Sequence, residues 1–261
     1  EDQLEGQLAL IQEAVNKALV LKHEGRPVFK FVDILVPSNK IFPSVDCGLM
    51  VPKLSGVWKG EPRVRIHTSE GDLFSGTLNE GVGIQMESGI IYSLIVSPNM
   101  HSYLTMENLL PMLEKADSGA KVVGMAFRDL RESIEQGRVA NTFCLWHNRS
   151  LMTVGGFNLL SAEPENDKDA HYLQGLAPNG DRVFYKINGV EEVIPTALLV
   201  KLYGRCIGIV YPASEGQYEV ISDPDVLKRH IAKMATKHQR QDELLSMMRL
   251  DASMLANGII A

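Results

Sequence analysis

No apolar run in the sequence approaches the roughly 20 residues that cross a bilayer, and the first residues lack the apolar core of a secretory signal. The expectation is a cytoplasmic protein with no membrane span. Dense blocks of Lys or Arg are missing as well. With 26 basic against 32 acidic residues and a net charge of -6, there is no concentrated basic face to neutralise phosphates, which argues against nucleic acid as a partner. Cysteine is scarce: Cys47, Cys144 and Cys206 are an odd number with no CxxC pair, so neither a disulfide framework nor a zinc knuckle is expected. They read as small core hydrophobes in a reducing compartment. The P-loop, the GxSxG elbow, HExxH and a GxGxxG following a strand are all absent, and no two of the seven histidines share an element at metal-ligand spacing.

What is present is the composition of a folded globular chain. Hydrophobic residues make up 45% and charged residues 22% of 261 residues and 28.9 kDa, enough to bury a sizeable core without staples. Residues 1–24 read as a helix, with Leu4, Leu8, Ile11, Val15 and Ala18 recurring at spacings of 4, 3, 4 and 3 before Gly25-Arg26-Pro27 stops it. Near the other end, Asp223 is placed to cap a helix and Pro224 to occupy its first position. The 4–3 spacing then recurs through Leu227, Ile231, Met234, His238, Gln241 and Leu245 to Met248. Such seams either pair between chains, giving a homo-oligomer through the terminal helices, or pack on their own domain.

Between these ends, apolar runs alternate with amphipathic stretches. Strands are expected at Val28–Val36, Arg63–His67, Gly89–Val96, Lys121–Phe127 and Cys206–Tyr211. Helices are expected at Asn79–Glu87, Met106–Asp117, Asp129–Gln136, Ser150–Val154 and Glu191–Tyr203, with Pro111 weakening the second. The alternation predicts an α/β layer fold with a mostly parallel sheet. Ligands bind such sheets beyond the carboxyl ends of the strands, which directs attention to Pro37–Lys40, Thr68–Gly71, Ser97–Ser102 and the surroundings of Arg128. The polar stretch Ser161–Asp181, rich in Asp, Asn, Pro and Gly, reads as a lid loop.

Two local patterns carry chemistry of their own. In Asn148–Phe157, Asn148 can cap a short helix, Gly155 can end it in the left-handed conformation, and Gly156 lets the backbone pass close to a ligand above Phe157. The same pattern also serves as a plain helix C-cap. Nearby Trp146 offers a ring face to a sugar, although an aromatic of that size more often fills a core. In the second pattern, Glu191 and Glu192 open a helix whose dipole stabilises both carboxylates.

Four segments together carry a resemblance. ILVPSNK (34–40) looks like the first strand and turn of nucleotide-sugar glycosyltransferases of the GT-A fold, which often read ILVPxxN. SGTLNEGVGIQMESGIIYSLIVSPN (75–99) resembles their stretch running from RNxG to DxD, with Asn79 and Gly81 in the matching places. NTFCLWHNRSLMTVGGFN (141–158) is similar to the segment in which a helix ends at GGF before the acceptor region. GVEEVIPTALLVKLYGRCIGIVYP (189–212) resembles the acidic base motif and the helix behind it. The four occur in the family order across residues 34–212, and the terminal helices fall outside them.

The resemblance, closest to family 2, implies a single three-layer α/β/α domain over 26–215, with a mostly parallel mixed sheet, a helix at 1–25 and a helical extension at 222–258. It implies transfer of a sugar from a nucleotide-sugar donor to a glycan, protein or small-molecule hydroxyl. Glu192, on the usual Asp position, would be the base, assisted or replaced by Glu191. Pro37, Ser38, Asn39 and Asn79 would line the donor, Ser97 and Asn99 would lie by the diphosphate, and Trp146, Gly155 and Gly156 would face the acceptor. Glu70 or Asp72 would read the donor base. The pattern departs from the family where DxD should stand, because the sequence reads Ser97-Pro98-Asn99. A hydroxyl and a neutral amide hold Mg²⁺ or Mn²⁺ poorly. Either catalysis is metal-independent, with Lys40, Arg138 or Arg149 facing the phosphates, or the domain binds without turnover, or it serves as a binding and assembly module.

Overall fold

The computed structural model describes residues 2–37, 47–70, 73–126, 137–139, 142–157, 172–176, 182–186, 191–213, 241–242, 244–246, 248–251 and 253–260. Helix α1 (Asp2–Val20) leads into a short hairpin of β1 (Lys22–His23) and β2 (Arg26–Pro27). Strand β3 (Val32–Pro37), helix α2 (Cys47–Val57), strand β4 (Val64–Ser69) and helix α3 (Leu73–Glu87) follow. Strand β5 (Tyr92–Val96) runs into a 3-10 helix (Pro98–Tyr103), then α4 (Met106–Asp117), β6 (Val122–Met125), β7 (Phe143–His147) and α5 (Asn148–Thr153). A hairpin of β8 (Tyr172–Leu176) and β9 (Arg182–Lys186) precedes α6 (Val193–Tyr203), β10 (Ile207–Val210) and α7 (Ser253–Asn257).

The architecture is mixed α/β. Strands β3 and β4 form a two-stranded parallel sheet in register from Val32↔Val64 to Pro37↔Ser69. A four-stranded sheet has the order β10-β6-β7-β5. In it β10 and β6 are parallel, and β7 is antiparallel to both β6 and β5. Strands β5, β6 and β10 therefore run one way and β7 the other, so the sheet is mixed.

Helices cover both faces. Val122, Cys144, Trp146 and Ile207 pack on one side among Leu78 and Val82 of α3, Leu151 of α5, Ala197 and Leu199 of α6 and Leu255 of α7. Val123, Met125, Phe143, Leu145 and Val210 pack on the other side against Leu109 and Met112 of α4 and Tyr103. The apolar seam of α1 is turned onto its own chain: Leu8 and Val15 are buried with Ile34, Val36, Met50 and Leu54, and Leu4 and Ile11 pack against them. Of the two arrangements open to that seam, intrachain packing is the one observed. In the C-terminal seam, Gln241 and Leu245 are buried, while residues 222–240 lie outside the described set.

Several expectations need correction. The run FCLWH forms β7 and is buried at its first four positions, so it shows none of the alternation that marks a half-exposed strand. Helix α2 runs through Pro52 and α4 through Pro111. Each proline removes one helical donor, but tertiary packing of the apolar face outweighs that loss. Helix α3 begins at Leu73, ahead of the expected Asn79. The expected lid 161–181 contains strand β8, paired with β9, and its remaining residues lie outside the described set, as does the helix expected at Asp129–Gln136.

Helix α3 meets the β3–β4 sheet through a largely polar stripe. Thr77, Gly81, Gln85 and Ser88 are spaced 4, 4 and 3 residues apart, one helical face. Thr77 receives a hydrogen bond from Ser69 Oγ at 3.0 Å, and Ser88 Oγ accepts from Arg65 at 2.7 Å. A Cβ on Gly81 would stand 2.5 Å from Leu35 Cδ1, so the helix lies close on the strand. Asp33 is the centre: Arg65 grips it with two bonds of 2.7 Å, His67 lies 2.8 Å away, and Gln85 also bonds it. Charge-assisted bidentate pairing of this kind holds a buried carboxylate in one orientation.

A tight backbone approach joins the chain after β6 to α7. Gly137 has φ +69, and a Cβ there would lie 2.1 Å from Leu255 O. Both the left-handed backbone and the contact with main chain forbid a side chain. Gly137→Ala is therefore expected to destabilise the fold by roughly 2–5 kcal/mol, read as a lower denaturant midpoint with unchanged slope.

Candidate functional site

In sheets with parallel strands a crevice is expected at the carboxyl ends, here those of β5, β6 and β10 in one sheet and of β3 and β4 in the other. Pro37 ends β3 opposite buried Ser69 of β4. Ser38, Asn39, Lys40, Asp72 and Arg128 lie outside the described residues, and Glu70 is exposed. Ser97 follows β5 directly, and its backbone N–H bonds Thr142 O at 2.8 Å, just before β7 begins. Pro98 starts the 3-10 helix, with Asn99 exposed on it. His101 fastens that turn: Nδ1 lies 2.9 Å from Pro98 O, and Nε2 lies 3.1 Å from Glu13 of α1.

Glu191 and Glu192 are half-buried at the start of α6. Glu192 is the residue before the helix proper. Its side chain makes no capping bond, and its carbonyl accepts from Thr196 N at 3.1 Å and Thr196 Oγ1 at 2.5 Å. Its negative charge acts on two largely buried groups. Arg138 has its proton affinity lowered by burial and held up by the charges of Asp242 and Glu192. The Cys144 thiol is pushed well up, first by complete burial and then by the negative charge of Glu192. Cys144 pairs with Ile95 and Gly124, each one residue short of the carboxyl end of its strand. The Glu192 charge is thus felt by both Arg138 and Cys144.

The cations sort differently from expectation. Arg138 is turned to carboxylates, with Nη2 3.5 Å from Asp242. Arg149 is on α5, which follows the far end of β7 where His147 pairs with Tyr92. That places it at the amino end of β5, away from Ser97, so it does not face a phosphate bound there. Trp146 also departs from its expected role. It is completely buried, packed edge-on against Phe157 with ring centroids 5.1 Å apart, so its faces belong to the core and are closed to an acceptor sugar.

Asn79 and Gly156 are brought together. The Asn79 carboxamide pairs with the backbone of Phe157 in both directions: its Nδ2 donates to Phe157 O, and its Oδ1 accepts from Phe157 N, each at 2.8 Å. Gly156 has φ +71, and a Cβ on it would stand 2.4 Å from Asn79 Oδ1. The GGF turn is thus a docking point for α3, with Asn79 acting in place of a strand partner; Gly155, also at positive φ, has open space around it. Truncating Asn79 strands two backbone groups beside the buried Phe157. Asn79→Ala is expected to cost about 2 kcal/mol or more, measured by chemical denaturation.

Sequence reasoning assigned the cap of α5 to Asn148, but the structure gives it to His147. Ser150 N–H donates to His147 Nδ1 at 3.1 Å, while Asn148 is wholly buried and donates from Nδ2 to Ile90 O at 2.9 Å. An imidazole nitrogen can accept only when unprotonated, and burial together with the Lys121 and Arg149 charges lowers the proton affinity of His147, against one opposing backbone hydrogen bond. With the folded-state value depressed, this contribution to stability is complete above the unfolded value of about 6.5 and is lost as pH falls through the lower folded one. His147→Asn keeps an acceptor but cannot titrate. The variant is expected to lose less stability than the wild type as pH is lowered from 7 into the acid range, by denaturation in a pH series.

Two of the three thiols, Cys144 and Cys206, are buried and have their proton affinity raised by that burial. Burial drives Cys206 to about 11, and Cys144 is buried and free. Among the described residues no group of His, Cys, Asp and Glu is arranged to hold a metal. Ser97 and Asn99 supply only neutral oxygens, so the residues at the expected position do not fit Mg²⁺ or Mn²⁺. A small cleft lined by Val28, Phe29, Leu94, Leu109, Met112 and Leu145 lies on the opposite face, with apolar walls that offer nothing to a polar substrate. No described helix is long and apolar enough to cross a membrane. No protein-family model, curated protein or solved structure matches the chain. The class defined by the fold is a mixed α/β protein whose candidate site lies at the carboxyl ends of its parallel strands.

Proposed function

We propose that the chain is a glycosyltransferase of GT-A type that moves a sugar from a nucleotide-sugar donor to an acceptor hydroxyl without a bound metal. The observation that supports this reading is the half-buried acidic pair Glu191–Glu192 at the start of α6, in a chain where Ser97 and Asn99 follow β5. In an inverting transfer, Glu192 takes the acceptor hydroxyl's proton as that oxygen attacks the anomeric carbon and the bond to the departing diphosphate breaks. Ser97 and Asn99 meet the donor as neutral hydrogen-bonding groups, and Pro37 borders it from β3. Asn79 acts at a distance by fixing the GGF turn. Arg138 is paired with Asp242 and positions the acidic end of α6.

A second reading is favoured by one observation. The expected cation site has a hydroxyl and an amide where acidic ligands are needed, so the domain is alternatively a non-catalytic binding or assembly module. Calorimetric titration with UDP, GDP and their sugars, with and without chelator, separates the two. The first reading expects binding that survives chelation, and the second expects none. Glu192→Gln keeps shape and removes the base, and it is expected to lower transfer by about 10²- to 10⁴-fold while donor binding persists. Transfer at the wild-type rate in that variant would exclude Glu192 as the base.

A further inference from the structure

Three buried side-chain atoms lack a hydrogen-bond partner, two on opposed strand residues and one at the start of the helix that follows, α5. They are Ser93 Oγ, Trp146 Nε1 and Asn148 Oδ1. Ser93 of β5 is directly opposite Trp146 of β7. Strand residues two apart share a face, and Asn148 continues the β7 ladder by donating its backbone N–H to Ile91 O at 2.9 Å. Trp146 belongs to the core on the side of α3 and α5, and alternation from Ile95 puts Ser93 on the same side. Trp146 and Asn148 are both completely buried, so bulk solvent does not meet their needs.

The three atoms are chemically complementary. The indole N–H only donates, the amide oxygen only accepts, and the hydroxyl does either. A buried unsatisfied group costs about 1–3 kcal/mol, and buried waters commonly make about three hydrogen bonds to such groups. We infer that Ser93, Trp146 and Asn148 form the binding site of one structural water, which accepts from Trp146 Nε1, donates to Asn148 Oδ1 and bonds Ser93 Oγ. The water ties the start of α5 to the amino end of β5, a joint made otherwise by the bonds from Asn148 to Ile90 and Ile91.

The test uses the full chain and the Trp146 indole proton, assigned with Trp58→Phe, which removes the Trp58–Asn16 bond and keeps an aromatic ring against the Leu54 cluster, away from Trp146. A cross-peak between that proton and the water resonance in NOE and rotating-frame spectra is expected. Because a serine hydroxyl can relay exchange, the decisive sample is Ser93→Ala. Persistence of the cross-peak there supports a water held by Trp146 and Asn148, and absence of the cross-peak in the chain with Ser93 intact overturns the site. A crystal structure gives an independent readout that does not depend on any variant. Density for one oxygen within hydrogen-bond distance of all three atoms supports the inference, whereas direct bonds among the side chains with nothing between them overturn it.

Discussion

The reversed strand β7 is the constraint on which the rest depends. It is the only strand joining β5 to the β6–β10 pair among the described residues, and its side chains serve both cores. Phe143 and Leu145 face α4, while Cys144 and Trp146 face α3, α5 and α6. A strand buried on both sides cannot slip by one residue without exchanging these two sets. Its register therefore fixes where Ser97 meets Thr142 at one end and where His147 caps α5 at the other.

On that frame, polar groups do the fine positioning. Asn79 holds the GGF turn, Asn108 joins the start of α4 to Tyr103 O at 3.0 Å and Ala213 N at 2.9 Å, and Asp33 gathers Arg65, His67 and Gln85 beneath α3. Each is a carboxamide or carboxylate with its partners arranged around it, which specifies one geometry where apolar contacts alone would tolerate several. Glu192 rests on the same logic, since the end of the helix that carries it adjoins the Arg138–Asp242 pair.

Much of the fold was legible from residue patterns. The strands near Ile34, Tyr92, Val122 and Ile207 announced themselves as β-branched runs with turn residues at their borders, and α1 by its 4–3 seam. Strand β7 was not legible because FCLWH, buried on both faces, has no period-two signal and, unlike β6, no β-branched residue either. Helix α2 was hidden by Gly48, Pro52 and Gly56, and the true cap of α5 by being a histidine, outside the usual capping set. At the candidate site the acidic pair and the turn after β5 were found from sequence. The pairing of Asn79 with Phe157 joins residues 78 positions apart, which no local pattern encodes. The burial of Trp146 likewise follows from how α5 folds back over its own strand.

The two sheets share helices but no backbone ladder. Strands β3 and β4 form one ladder and β10-β6-β7-β5 another, with α3 touching β3 through Leu35 and Gly81 and the GGF turn through Asn79. Pro37 and Ser97 thus end strands that belong to different ladders. Side-chain contacts can slide by small amounts where a hydrogen-bonded ladder would have to break. The spacing between these two strand ends is consequently set by the helices that bridge the ladders, α3 through Leu35 and Phe157 and α1 through Ile34, Val36 and the Glu13–His101 contact: together they act as a pair of struts.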